Sequence, residues 1–388
     1  MKRYTAFFII AFFAFAAGSL MAQGLTFSGL LDSRVLGNIG AGTGPDFSLG
    51  VETWANIRAQ AKLREYAAIY SAVNLMAASG SIASAAEAMT ALNPGIIPAT
   101  AFVGGENYIA ALELERLYFR VQGEILQLDA GLLRLPFGYS LAWGPSDFLN
   151  PRSPLLPDAR PRGVLGASFA AYPLGDLKLL TFASAPRDPL SVEGEGFILG
   201  LGGENHWDKA SVQGFYAFET PGGPYPLGRH RGGLSVKADL ELGFVAEALY
   251  TWNPEAEESL KGLAAALGFD YSLVDGKLYL LAEYLYSGET SSTAENLRLT
   301  NRHYLSASAL YSLNEYARLG LSCTAGLEDL SFSPVLSAEY EPFQGMTLNF
   351  SVRVPLDREL FSAGDPGELG PERTASSTLL TAKARLRF

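Results

Sequence analysis

Cysteine is almost missing. The chain has one, Cys323, in 388 residues, so it cannot form an internal disulfide. Histidine is nearly as scarce: His206, His230 and His303 are isolated and lack metal-ligand spacing. Each is expected at a rim or on a water-facing wall. Long hydrophobic runs are missing as well. Past the N-terminus nothing approaches the ~20 apolar residues that a spanning helix needs, although 48% of the chain is hydrophobic. Basic charge is in deficit. Lys and Arg number 29 against 40 Asp and Glu, a formal net charge of −11, which argues against nucleic acid as a partner. Catalytic patterns fail on inspection. Gly166-Ala167-Ser168-Phe169-Ala170 falls one residue short of a nucleophile elbow and lies inside a strand pattern. Gly194-Glu195-Gly196 runs into a strand, with no helix to hold a phosphate. No enzyme activity, metal or cofactor is expected.

Glycine and aromatic residues are abundant, with 41 Gly, 18 Tyr and 23 Phe. They suit strands, tight turns and interfacial aromatic girdles. Residues 1–22 have the layout of a secretory signal. Lys2 and Arg3 precede an apolar core from Phe7 to Ala17, and the small residues Gly18, Ser19 and Ala22 follow. Cleavage after Ala22 leaves a net charge of about −13. No Cys lies near the cut, so a lipid-anchored form is not expected.

Residues 23–388 are expected to form one domain built of strands. Val51 to Arg64 is the cleanest. Val51, Thr53, Ala55, Ile57, Ala59, Ala61 and Leu63 alternate with Glu52, Trp54, Asn56, Arg58, Gln60, Lys62 and Arg64. Ser376 to Phe388 closes the chain in the same way. Leu380, Ala382, Ala384, Leu386 and Phe388 share one parity; Thr381, Lys383, Arg385 and Arg387 share the other. A soluble protein would lay such apolar faces on helices or on a second sheet, and this chain offers neither. The pattern predicts a closed transmembrane antiparallel β-barrel with lipid outside and water inside.

About eighteen segments have this character, with sixteen as the competing count. They begin with Leu25–Val35, Val51–Arg64, Tyr66–Asn74, Tyr108–Gln122 and Glu124–Arg134. Connections after even-numbered strands are mostly short; those after odd-numbered strands are mostly longer and more polar. That predicts short periplasmic turns and long extracellular loops, with both chain ends on the short-turn rim. Met76–Asn107 is expected as a long insert with a short helix over Ser81–Leu92. Glu113 and Glu115 break the alternation beside Leu117 and Phe119, which calls for a bulge or a rim position.

The distinctive stretch is Gly131–Arg162. It carries Arg134, Trp143, Asp147, Asn150, Arg152, Arg160 and Arg162, with prolines at 136, 145, 151, 154 and 157 that favour an ordered loop. Two placements are open: a surface loop, or residues 135–162 folded into the lumen to set up a transverse field of Asp and Arg. The expected lumen wall carries Glu52, Arg58, Lys62, Arg116, Arg120, Lys383, Arg385 and Arg387, with Asp129 and Asp239 as opposing acids. It either solvates a wet lumen or forms a basic ladder for anionic solutes.

Trp143-Gly144-x-x-Asp147-x-Leu149-Asn150-Pro151 after a strand resembles a motif of porin-like Gram-negative outer-membrane proteins. The terminal Phe388 resembles the closing residue of bacterial outer-membrane barrels, where it signals to the assembly machinery. These resemblances imply a diderm outer membrane with its lipid as surroundings. The expected function is passive diffusion of small hydrophilic solutes. The alternatives are transport of hydrophobic molecules such as fatty acids, and a surface barrel whose loops bind other proteins. No plug is expected before the first strand, since it begins almost directly after the signal.

Overall fold

The computed structural model describes residues 24–40, 47–81, 100–105, 107–150, 163–185, 196–222, 227–253, 260–288, 300–357, 368–369 and 378–388. The signal segment, Arg152, Arg160, Arg162 and nearly all of the helix expected over Ser81–Leu92 lie outside these residues.

The described residues form nineteen strands and one short 3-10 turn. The strands are β1 (Gly24–Ile39), β2 (Phe47–Arg64), β3 (Ala67–Gly80), β4 (Thr100–Gly105), β5 (Tyr108–Gln122), β6 (Leu126–Leu133) and β7 (Val164–Leu174). Next come β8 (Leu177–Ser184), β9 (Ile198–Trp207), β10 (Ala210–Glu219), β11 (Arg229–Asp239), β12 (Gly243–Trp252) and β13 (Leu263–Leu273). The last are β14 (Leu278–Ser287), β15 (His303–Ser312), β16 (Ala317–Gly326), β17 (Ser331–Phe343), β18 (Met346–Arg353) and β19 (Thr378–Arg387).

Eighteen of them close into an antiparallel barrel, each paired with its neighbours in chain order. Closure runs from Leu30 opposite Arg387 to Ile39 opposite Thr378. Beyond it, Gly29 N donates to Phe388 O at 2.7 Å and Phe388 N to Gly29 O at 3.1 Å. The Phe388 ring fills the space that a Cβ on Gly29 would take, and is itself 65% exposed.

The alternation sorts the two faces as period two demands. On β2, Val51 and Ile57 are exposed on the outer face, while Glu52 and Asn56 are buried on the inner face. The connections follow the expected asymmetry, with one exception: β16 and β17 are joined by a tight four-residue turn on the long-loop rim.

Two features depart from expectation. First, β3 runs to Gly80 rather than stopping near Asn74, and β4 lies within what was expected to be an insert. The extension is rich in alanine, whose weak hydropathy hides the alternation. β4 pairs with residues 108–113 of β5. The other half of β5 pairs with β6 through residues 117–122. β6 leaves the wall at Leu133, so the upper part of β5 would lose its neighbour, and β4 supplies the missing hydrogen bonds. Second, the wall is uneven. β1, β2, β3 and β5 have 16, 18, 14 and 15 residues, against 8 to 13 in the other barrel strands. At ~3.3 Å per residue, strands this long outreach a tilted crossing of a ~30 Å hydrocarbon layer.

The expected bulge is present. Ala72 faces Arg116 and Val73 faces Leu114, so Glu115 is the extra residue of β5.

Candidate constriction and lumen wall

After Leu133 the chain turns away from the wall, and residues 134–150 run as irregular backbone. Such backbone must find partners for its amides. It finds them on inner-facing side chains of distant strands. Gly138 N donates to Gln213 Oε1 of β10 at 2.6 Å. Tyr139 N and Ser140 N donate to Glu247 Oε1 of β12. Leu141 N and Ala142 N donate to the two oxygens of Glu283 of β14 at 2.7 Å each, and Trp143 N to Oε2 at 3.2 Å. Six consecutive amides are thus taken up by three wall side chains.

These contacts follow the register of the sheet. Lys178, Glu204, Gln213, Ser235, Glu247, Ala266, Leu285 and Tyr304 are successive cross-strand partners from β8 to β15. The segment lies along this row. Tyr139 OH donates to Glu204 Oε1 at 2.9 Å. Burial first, and then Glu204, pushes the Tyr139 phenol above its ordinary pKa, so it stays a donor. Ser235 Oγ meets Ser146 Oγ at 3.2 Å.

Apolar packing fixes the rest. Phe137 lies 4.5 Å from the Phe215 ring and 5.3 Å from the Phe182 ring, centroid to centroid. Leu133, Leu135, Leu149, Val164 and Leu249 complete this cluster. At the far end Trp143, 5% exposed, packs on Tyr304, Ala266 and Leu285, and its Nε1 donates to the Glu283 carbonyl at 3.2 Å. Burying a large side chain contributes about 1.5–3 kcal/mol. Gly138 has φ +90, and a Cβ there would meet both Glu247 oxygens within 2.5 Å, so only glycine fits.

The candidate loop residues occupy distinct places. Asp147 and Asn150 are buried and staple the segment to itself: Leu135 N donates to Asn150 Oδ1 at 2.8 Å and Phe137 N to Asp147 Oδ1 at 3.4 Å. Arg134 reaches Glu115 at 2.9 Å.

The wall of β1, β2, β3, β5 and β19 holds the basic residues expected to line the lumen, several of them matched by acids. Arg34 pairs with Glu52 at 2.5 Å. Arg120 forks onto Asp129 at 2.7 and 2.8 Å. Arg385 forks onto Asp32 at 2.8 and 3.0 Å, and Lys383 lies 3.7 Å from the same carboxylate. Arg58 Nε donates to Asn56 Oδ1 at 2.7 Å, and Arg116 lies 3.5 Å from Glu115. Arg58 and Arg116 flank Ala72 in one cross-strand row. The short Ala72 leaves between them a recess of about 180 Å³, lined also by Ser28, Gln60, Tyr70 and Tyr118. Among the described residues, Lys62 and Arg387 show no side-chain ion pair. Asp239 does not oppose this wall; it sits by the β11 turn with Lys237 at 3.1 Å.

No family model matches the chain, and no curated protein matches it either. Solved structures do. OccAB1 of Acinetobacter baumannii superposes with a TM-score of 0.56 at 10% identity, over 95% of this chain and 97% of that one. OccK9 (OpdG) of Pseudomonas aeruginosa gives 0.54 at 12% identity, over 95% and 98%. OpdQ of Pseudomonas aeruginosa gives 0.55 at 9% identity, over 94% and 98%. The chain shares their fold, a closed eighteen-strand antiparallel β-barrel.

Within this fold the sequence left several residues unmarked: Glu204, Gln213, Glu247 and Glu283 beneath the loop, and Asp32 and Arg34 on the opposite wall. For Glu247 and Glu283 the signal was an acid on the inner parity between apolar neighbours. Glu247 stands between Val245 and Leu249, and Glu283 between Leu281 and Leu285. A buried charge in such a row needs donors from elsewhere. His230 and His303 lie on the outer face at the long-loop rim, as the second and first residues of β11 and β15. His230 stacks on Trp252 at 4.9 Å, and His303 bonds Tyr284 OH at 2.6 Å.

Proposed function

We propose that the protein is an outer-membrane channel for passive diffusion of small hydrophilic solutes, narrowed by residues 135–162. One observation carries this reading: six consecutive amides of the loop are seated on inner-facing side chains of an eighteen-strand barrel. Barrels of about 16–18 strands are wide enough to leave an aqueous passage. A loop fixed along one side of the wall leaves the passage open on the other, where Arg58, Lys62, Arg116 and Arg120 stand. In this account the surroundings are the lipid of a diderm outer membrane, reached after cleavage of residues 1–22, and Phe388 is the signal to the assembly machinery.

A basic ladder for anionic solutes is favoured by Arg58 and Arg116, which line the recess; among the described residues the carboxylate nearest Arg116 is Glu115 at 3.5 Å. Arg34, Arg120, Lys383 and Arg385 are offset by Glu52, Asp129 and Asp32. The experiment is swelling of liposomes loaded with the purified protein in sugars of graded size. Rapid entry of small sugars with a sharp size limit is expected. Absence of sugar entry, with the barrel intact, rejects the channel.

A further inference from the structure

We infer that Glu247 and Glu283 are a latch. They are positioning residues whose two carboxylates hold the loop on the wall and thereby set its aperture. The inference deepens the proposed channel and rests on it only for the consequence on aperture.

Both side chains are almost fully buried, at 3% and 1% exposure. A carboxylate out of water is costly unless its oxygens are filled by donors. Each of these receives three backbone amides. Glu247 takes Tyr139, Ser140 and Ser146; Glu283 takes Leu141, Ala142 and Trp143. Successive amides converging on one anion form a concave site of positive potential. The dependence is mutual. Unseating the loop would strand two buried charges and an unbroken run of amides, so the seated state is held cooperatively.

The surroundings are shaped for this contact. Gly138 admits the Glu247 carboxylate where any Cβ would strike it. Gly268, opposite Glu283 on β13, leaves room for that side chain. Ser235 and Ala266, on either side of Glu247, are small. Among the described residues, the two acids, each beside a glycine that makes space for it, find their side-chain hydrogen bonds on the loop.

The test uses the full chain with Cys323→Ser and Ser140→Cys, folded in detergent and reacted with a bulky maleimide. Substitution at Ser140 keeps its amide. The double variant Glu247→Gln, Glu283→Gln is expected to label about tenfold faster or more, because an amide group places a donor against the loop's donors. Glu→Asp at both positions should fall between the two. An unchanged rate in a folded double variant overturns the latch. If that variant does not fold, Gly138→Ala, which displaces Glu247 alone, must also speed labelling; an unchanged rate there overturns it equally. Labelling needs no transport, so failure of the latch is distinguishable from failure of the channel.

Discussion

Glu283 lies 142 residues from the amide of Leu141 that it accepts, and Asp32 lies 353 residues from Arg385. At this scale the sequence shows an unpaired charge on an inner parity and nothing about what meets it. That is why Lys383 and Arg385 were legible as wall cations while Asp32, which offsets them, was not. Asp32→Asn removes that offset at nearly constant volume. The reversal potential in a salt gradient is expected to shift toward anion preference; a shift toward cations would contradict the assignment. Gly131 gives a second case. Its φ is +133, and a Cβ would sit 2.3 Å from the Leu117 carbonyl oxygen. Gly131→Ala is expected to cost roughly 1–3 kcal/mol. The temperature at which the folded band converts to the unfolded band on gels should fall accordingly.

Among the elements, strands were legible wherever polar and apolar residues alternated, as in β2 and β19. They were hidden where alanine stood on both faces, as at Ala77 and Ala78 of β3, and where a six-residue strand without polar alternation sat among Gly and Pro, as with β4. The bulge in β5 was legible because two acids broke the pattern. Its geometry makes a sharp prediction. Deleting Glu115 removes the extra residue and leaves Glu113 and Arg116 on the inner face, so the barrel should still assemble and show heat-modifiable migration. Deleting Phe119 instead moves Arg120 to the outer face and shifts everything beyond it by one position. That variant should fail to assemble. Equal behaviour of the two would refute the pairing of β3 with β5. The loop is the element that the sequence resolved least. Its prolines implied order, but its course along one cross-strand row depends on side chains from β9 to β15 that no local pattern connects to it. Phe137→Ala, which empties the centre of the cluster beneath the loop, is expected to cost about 3–5 kcal/mol of local packing. It should expose residues 138–149 to limited proteolysis while the barrel remains intact.

For the whole molecule, the architecture was the most legible part. Apolar residues on one parity and polar residues on the other, with short turns on one rim, leave few arrangements other than a closed cylinder. What composition could not convey is the division of labour within the wall. On one side Gln213, Glu247 and Glu283 receive the loop's amides; on the other Arg34, Arg120 and Arg385 are paired with Glu52, Asp129 and Asp32. A net charge of −11 hides this division, because it sums loops and wall together. The most direct measurement is single-channel conductance in planar bilayers, comparing the full chain with a variant in which a short Gly-Ser linker replaces residues 138–149. Leu135 N already meets Asn150 Oδ1 at 2.8 Å, so a short linker can bridge the gap. The account predicts discrete steps for the full chain and markedly larger steps for the variant. Equal conductance of the two, or no conductance from the full chain, would contradict it.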